Sequence, residues 1–278
     1  MKTLFVSDLD GTLMQPDARI SDESRRMLND AIASGALFTI ATARTPATVA
    51  PILEGINMNL PAIVMTGAAL WDSRTNCYSN LRHFSPESAA EIVRIHQQTE
   101  TPTFLFTLDD NGPIDIYHFG GEMNALQREF VEERINSPFK RFILDRGGAD
   151  TLPAELNRVI LLYTMLPDSK AAATYNLTRE VPGVKAQYYH DIYGPEIGIL
   201  EAFDSSATKA NAVKELAKLI GAERIVCFGD NINDLPMMQV ADLAVAVENA
   251  LPEVKAAADL VIGPNTDNSV AKFIIENL

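Results

Sequence analysis

Asp8 and Asp10 stand two residues apart just after the apolar run 4–6, in the pentapeptide Asp8-Leu9-Asp10-Gly11-Thr12. In an extended chain, positions i and i+2 share a face, so the spacing predicts both carboxylates on one side with Leu9 turned into the core. Like charges held that close are costly unless a cation or a phosphorylated ligand lies between them. Gly11 lets the backbone turn tightly, and Thr12 offers a hydroxyl at the bend. Three further clusters also follow strand-like runs or open a helix: Thr42-Ala43-Arg44, Lys209, and Gly229-Asp230-Asn231-Ile232-Asn233-Asp234. Asp8, Asp10 and Asp230 are hard oxygen ligands suited to Mg²⁺. Thr42 and Lys209 add a hydroxyl and an ammonium, which with helix N-terminal amides suit a phosphoryl group. The chemistry expected is that of an anion site with a metal.

These residues need a sheet edge to bring them together. Apolar runs at 4–6, 37–41 and 62–65 alternate with helix signals. Ser21-Asp22-Glu23 opens one helix, which ends at Gly35, and Thr45-Pro46 opens another. This reads as βαβαβ with buried parallel strands. The tail returns to that rhythm, with strands expected at 197–203, 225–228, 243–247 and 260–262, and a helix over 208–220. Head and tail would form one doubly wound, Rossmann-like parallel sheet, a fold of the α/β class. In such a sheet ligands bind outside the carboxyl ends of the strands, and all four clusters fall on that edge. Between them the pattern changes. Runs at 103–108 and 114–118 flank Asp109-Asp110-Asn111-Gly112, a hairpin signal. Helix patterns at 122–136 and 169–180 alternate with strands at 159–165 and 184–189. The expectation is a core of residues 1–82 and 191–278 interrupted by an α+β cap over 83–190 with an antiparallel sheet.

Composition limits the partners. The 278 residues suffice for two domains, and 47% of them are hydrophobic and 22% charged, as in ordinary globular enzymes. Lys and Arg number 23 against 37 Asp and Glu, a net charge of −14 that repels nucleic acid and anionic membranes. A phosphorylated ligand must therefore be met by local positive charge or a metal. Two cysteines, Cys77 and Cys227, are too few for a disulfide framework, and no apolar run is long enough for a membrane helix or a signal peptide. A cytoplasmic protein is expected.

Competing motifs fail on spacing. An EF-hand loop from Asp8 would need Gly in sixth place and Glu in twelfth, but Gly11 comes fourth and Arg19 holds the twelfth. No Walker loop, dinucleotide fingerprint or Gly-x-Ser-x-Gly elbow is present. Assembled, the motifs resemble those of the haloacid dehalogenase superfamily, specifically the Cof-like phosphatases with a type-B (C2) cap. Asp8 to Thr12 matches the first motif, Thr42 the second, Lys209 the third and Gly229 to Asp234 the fourth. The likeness continues through Val245-Ala246-Val247, Asn249-Ala250, Lys255, Ala258-Asp259 and Val270-Ala271.

The resemblance implies a Mg²⁺-dependent phosphomonoester hydrolase acting on a small phosphorylated metabolite, most simply a sugar phosphate. It casts Asp8 as nucleophile and Asp10 as general acid and base. Mg²⁺ would be held by the Asp8 carboxylate, the Asp10 carbonyl and the Asp230 carboxylate, with Asp234 close behind. Thr42, the Ala43 amide, Lys209 and Asn233 would bind the transferring phosphoryl group, and the cap would select the substrate. Four positions depart from the family pattern: Ala43 and Ser269 replace glycines, Asn268 replaces an aspartate, and Thr66 replaces an asparagine in Thr66-Gly67-Ala68. A phosphomutase, or a phospho-aspartate signalling module, would use the same acidic pair, although signalling modules are shorter and lack a large insert. In the cap, His118, His190 and Asp191 are candidates to face substrate, with exposed strand ends as the plainer reading.

Overall fold

The apolar runs form strands, and their pairing decides which sheet each one joins. The computed structural model describes residues 1–144, 150–190 and 196–278. In chain order its elements begin with β1 (Thr3–Ser7), α1 (Asp22–Ala33), β2 (Leu37–Ile40), α2 (Pro46–Leu53), β3 (Ala62–Val64), β4 (Ala69–Asp72) and β5 (Cys77–Ser79). There follow α3 (Pro86–Gln98), β6 (Thr103–Thr107), β7 (Ile114–Phe119), α4 (Ala125–Glu132), β8 (Lys140–Ile143), β9 (Val159–Pro167), α5 (Asp168–Thr178), β10 (Val184–His190) and β11 (Ile197–Asp204). The chain closes with α6 (Lys209–Ile220), β12 (Arg224–Gly229), α7 (Leu235–Met238), β13 (Leu243–Val247), α8 (Pro252–Ala257), β14 (Leu260–Ile262) and α9 (Ser269–Glu276). Two compact units result, one of residues 1–80 with 207–278 and one of residues 81–206.

In the first unit five parallel strands run in the order β14-β13-β12-β1-β2. Leu4, Val6, Phe38, Ile40, Phe228, Val245 and Val247 are fully buried, as parallel strands covered on both faces require. Helix ends are set by local chemistry. Ser21 accepts a hydrogen bond from the Ser24 amide at the start of α1, with Asp22 and Glu23 in its first turn. Thr208 caps α6 through the Asn211 amide, and Gly221 ends it in the left-handed conformation, which fixes Lys209 as its first residue. β3 lies beside β2, with a parallel bridge between Ala41, just past the end of β2, and Ile63, and then turns back into an antiparallel ribbon with β4 and β5. Among the described residues, no helix is long and apolar enough to cross a membrane.

The second unit is a six-stranded sheet in the order β10-β11-β9-β6-β7-β8. Two expectations are corrected here. The run 197–203 does not join the core sheet, because β11 pairs antiparallel with both β9 and β10, Leu200 lying opposite Thr164 and Tyr188. Nor is the sheet wholly antiparallel, since β8 runs parallel to β7 with Ile114 opposite Lys140. The hairpin of β6 and β7 forms as expected. The core of this unit gathers Ile92, Val93 and Ile95 of α3 with Leu105, Tyr117, Phe119, Leu162 and Ala202 from one face of the sheet.

Candidate active site

β1 ends at Ser7, one residue before the acidic pair. The chain then makes a wide turn over Leu9–Leu13, closed by the Met14 amide donating to the Leu9 carbonyl at 2.9 Å. The extended-strand argument for Asp8 and Asp10 therefore stops short of Asp10, and the two carboxylates have different surroundings. Asp8 is buried, 6% exposed. Asp10 is exposed, and Arg44 grips its carboxylate with two hydrogen bonds, Nε to Oδ2 at 2.8 Å and Nη2 to Oδ1 at 2.5 Å. Gly11 adopts φ +76°, and a Cβ there would lie 2.3 Å from Asp230 Oδ2, so both the turn and the approach of Asp230 need glycine.

Three elements converge on Asp8. Lys209, 2% exposed, donates from Nζ to Asp8 Oδ1 at 2.5 Å and to Asp234 Oδ1 at 2.7 Å. The other oxygen of Asp234, itself fully buried, accepts the backbone amides of Asp230 and Asn231, both at 3.1 Å. Asp234 thus clamps its own loop while holding the lysine. Asp230 accepts from the Thr12 hydroxyl at 3.0 Å. Asn249 donates to the Gly11 carbonyl at 2.7 Å, and the Leu251 amide to the Asp230 carbonyl at 2.9 Å, tying the β13 end to both loops.

Burial is the main force on these charges. It pushes Asp8 up to about 7, opposed by Lys209 and reinforced by Asp234 and Asp230. It pushes Asp230 up to about 6, opposed by the Thr12 hydrogen bond. For Lys209 burial works against the charge, but Asp8 and Asp234 outweigh it and the ammonium is held above its ordinary range. Carboxylate oxygens of Asp8, Asp230 and Asp234 all lie within 4.8 Å of one another. Three carboxylates against one ammonium leave two negative charges, a set of hard oxygen donors that fits a divalent cation. Because both Asp234 oxygens are already engaged by protein donors, Asp8 and Asp230 are the members best able to bind one.

Thr42 is buried, and its hydroxyl accepts the Arg44 amide at 3.1 Å. Ala43 is exposed and is not among the positive-φ residues, so its methyl brings no backbone strain. Asn233 is exposed on the short turn Ile232–Asp234. The structure thus joins Asp8, Lys209, Asp230 and Asp234 in one contact network and pairs Asp10 with Arg44. Sequence reasoning read Arg44 as structural or as a gate to the cap, and foresaw neither its pairing with Asp10 nor Thr12 as a partner of Asp230; only the hydroxyl in the first motif hinted at the latter. In the second unit, His118 is buried edge-on to Phe104, with ring centroids 5.3 Å apart. His190 is exposed and pairs with Asp168 at 2.7 Å. Asp191 lies outside the described residues.

The lysine-braced aspartate cluster sits at the carboxyl edge of a parallel α/β sheet, and comparison with known proteins gives the class that carries it. The model of the haloacid dehalogenase-like hydrolase family matches residues 5–274. The chain belongs to that family, and it is a Cof-like phosphatase of haloacid dehalogenase type. It is 26% identical to a pyridoxal phosphate phosphatase of Escherichia coli, over 98% of this chain and 97% of that one. It is 27% identical to a 5-amino-6-(5-phospho-D-ribitylamino)uracil phosphatase of Bacillus subtilis, over 99% and 97%. Among solved structures, a haloacid dehalogenase subclass IIB sugar phosphatase superposes with a TM-score of 0.68 at 20% identity, covering 100% of this chain and 99% of the other.

Proposed function

We propose that the chain is a Mg²⁺-dependent phosphomonoester hydrolase that works through an aspartyl-phosphate on Asp8 and acts on small phosphorylated metabolites, sugar phosphates first among them. The observation that carries the reading is Asp8 buried against Lys209, with Asp230 and Asp234 beside it. In the first step an Asp8 oxygen attacks phosphorus, the bond from phosphorus to the leaving oxygen breaks, and Asp10 donates the proton that oxygen needs. Water then attacks the aspartyl-phosphate, Asp10 takes up its proton, and phosphate leaves with Asp8 restored. Thr42, the Ala43 amide, Lys209 and Asn233 bind the phosphoryl oxygens where charge develops. The Asp8 carboxylate, the Asp10 carbonyl and the Asp230 carboxylate would hold Mg²⁺, with Asp234 behind them. When bound, the ion neutralises repulsion between Asp8 and the incoming phosphate.

Two of the named relatives support a sugar-like leaving group, since one acts on a phosphoribityl compound and one is a sugar phosphatase. The choice among phosphate esters we assign to side chains of the inserted unit, which sequence reasoning spans as 83–190 between core segments 1–82 and 191–278. The test is phosphate release from a panel of sugar phosphates, pyridoxal phosphate and nucleotides with Mg²⁺. Release of phosphate, lost in Asp8→Asn, is the expected result. An isomerised ester without free phosphate would show a mutase instead, and a stable phosphoprotein without turnover would show a signalling module.

A further inference from the structure

Three successive residues after β3 have positive φ: Met65 at 51°, Thr66 at 58° and Gly67 at 97°. For a β-branched residue such as Thr66 this is a costly conformation, kept only where the surroundings enforce it. On one side the Met65 amide donates to the Arg44 carbonyl and the Thr66 amide to the Thr42 carbonyl, both at 3.0 Å. On the other, a Cβ at Gly67 would lie 2.3 Å from the Thr208 carbonyl oxygen and 3.0 Å from the Lys209 nitrogen. Thr66 is therefore set between the segment carrying Thr42 and the helix start carrying Lys209. It is only 9% exposed, and its hydroxyl has no hydrogen-bond partner among the described residues. Buried hydroxyls are nearly always paired, and one left unpaired beside an anion site calls for an explanation.

We propose that the Thr66 hydroxyl is a phosphate-binding group, donating to an oxygen of the transferring phosphoryl group beside Thr42 and Lys209. The inference rests on the phosphatase reading and adds to it a donor outside the four motifs that carry that reading. Strained backbone then has a use: the left-handed turn holds a hydroxyl where a relaxed strand end would carry it elsewhere. It also explains how threonine can stand where an asparagine is expected, because both side chains present a hydrogen-bond donor from a left-handed position.

The signature is that binding and stability move in opposite directions. Thr66→Val keeps the branched shape and removes only the hydroxyl. Calorimetric titration of the full chain with inorganic phosphate in Mg²⁺ is expected to show Kd raised about tenfold, the size of one hydrogen bond to a charged group. Without phosphate, the Tm of Thr66→Val should be unchanged or up to about 4 °C higher, because an unpaired buried hydroxyl has been removed. Thr66→Ser should bind within about threefold of the parent, a difference below one ordinary hydrogen bond. Phosphate bound equally well by Thr66→Val and the parent overturns the inference, as does weaker binding in both variants accompanied by a lower Tm. A parent protein that binds no phosphate in Mg²⁺ overturns the phosphatase reading itself.

Discussion

At the end of β1 the first unit buries an ammonium between two carboxylates, whereas on the inner face of α3 the inserted unit buries His96 between two hydroxyls. Lys209 bridges Asp8 and Asp234. His96, fully buried, meets Thr103 Oγ1 at 2.7 Å through Nδ1 and Thr178 Oγ1 at 3.0 Å through Nε2. Both interiors satisfy their polar groups, but at very different cost. Desolvated charges lose more than well-packed apolar side chains would, so a buried cluster of them is weak evidence for stability and stronger evidence for chemistry. The histidine network is neutral, since burial pushes His96 down to about 3, and it specifies packing without reactive charge. Of these two clusters, the charged one is where chemistry is expected and the neutral one is where packing is specified.

Removing a central group should separate the two most sharply. Lys209→Met leaves Asp8 and Asp234 buried without a counter-charge, and urea denaturation should show a loss of about 3–5 kcal/mol. Phosphate release should fall by about 10²–10³ in kcat. Thr178→Val in the inserted unit removes one neutral hydrogen bond and should cost only about 1 kcal/mol, with kcat retained. Equal losses from the two variants would erase the distinction.

Metal dependence is next in size. Asp8 and Asp230 have folded-state pKa values of about 7 and about 6, raised above the ordinary carboxylate range. Without metal, their contribution to stability is therefore present at acid pH and falls as pH rises from about 4 to about 7. Mg²⁺ should reverse that trend, because it competes with those protons. At pH 8 and about a hundredfold excess over Kd it should stabilise by about 2.7 kcal/mol, and at pH 5 by far less. Thermal unfolding with Mg²⁺ and with chelator, at both pH values, measures the difference.

His96 in the inserted unit should show the opposite slope. His96 is depressed in the folded state, so its contribution is complete above its ordinary pKa of 6.5 and is lost as pH falls towards 3. The single tryptophan, Trp71, is buried in the first unit and reports on that unit alone. Glu201, in the inserted unit with His96 and raised to about 7 by burial, pulls the other way as pH falls, so the comparison that isolates the histidine is His96→Gln against the parent. Between pH 6.5 and 4 the far-ultraviolet circular dichroism midpoint of the variant should fall less than the parent's, with the Trp71 fluorescence midpoint the same in both. Equal circular dichroism shifts in parent and variant would show that His96 carries no acid sensitivity. The smallest effect is expected at Ala43. Ala43→Gly should change stability by no more than about 0.5 kcal/mol, because the residue already sits in a conformation open to any side chain.

The same contrast shows what the chain reveals in its residues. Capped, amphipathic α1 and α6 were legible because Ser21 and Thr208 announce their starts. So were Asp8, Lys209, Asp230 and Asp234 as one cluster, since parallel strands deliver their C-terminal ends to one edge. Partner choice was not legible. The run at β11 is as apolar as a core strand, and periodicity says nothing about which sheet it joins. β8, four residues long and half-exposed, has too little pattern to be seen, and β4 and β5 lie in a ribbon turned by Asn76 at φ +55°. The Arg44–Asp10 pair and the left-handed Thr66 depend on tertiary contacts that no spacing rule contains.

The central claim is a covalent phosphoryl group on Asp8. Mixing the protein with Mg²⁺ and a hydrolysed sugar phosphate, quenching in acid within one turnover and weighing the Asp8 peptide tests it directly. The account predicts a mass gain of one phosphoryl group on Asp8 that disappears as substrate is exhausted and never forms in Asp8→Asn. Phosphate released at the normal rate with Asp8 unmodified, or by Asp8→Asn as fast as by the parent protein, would contradict it.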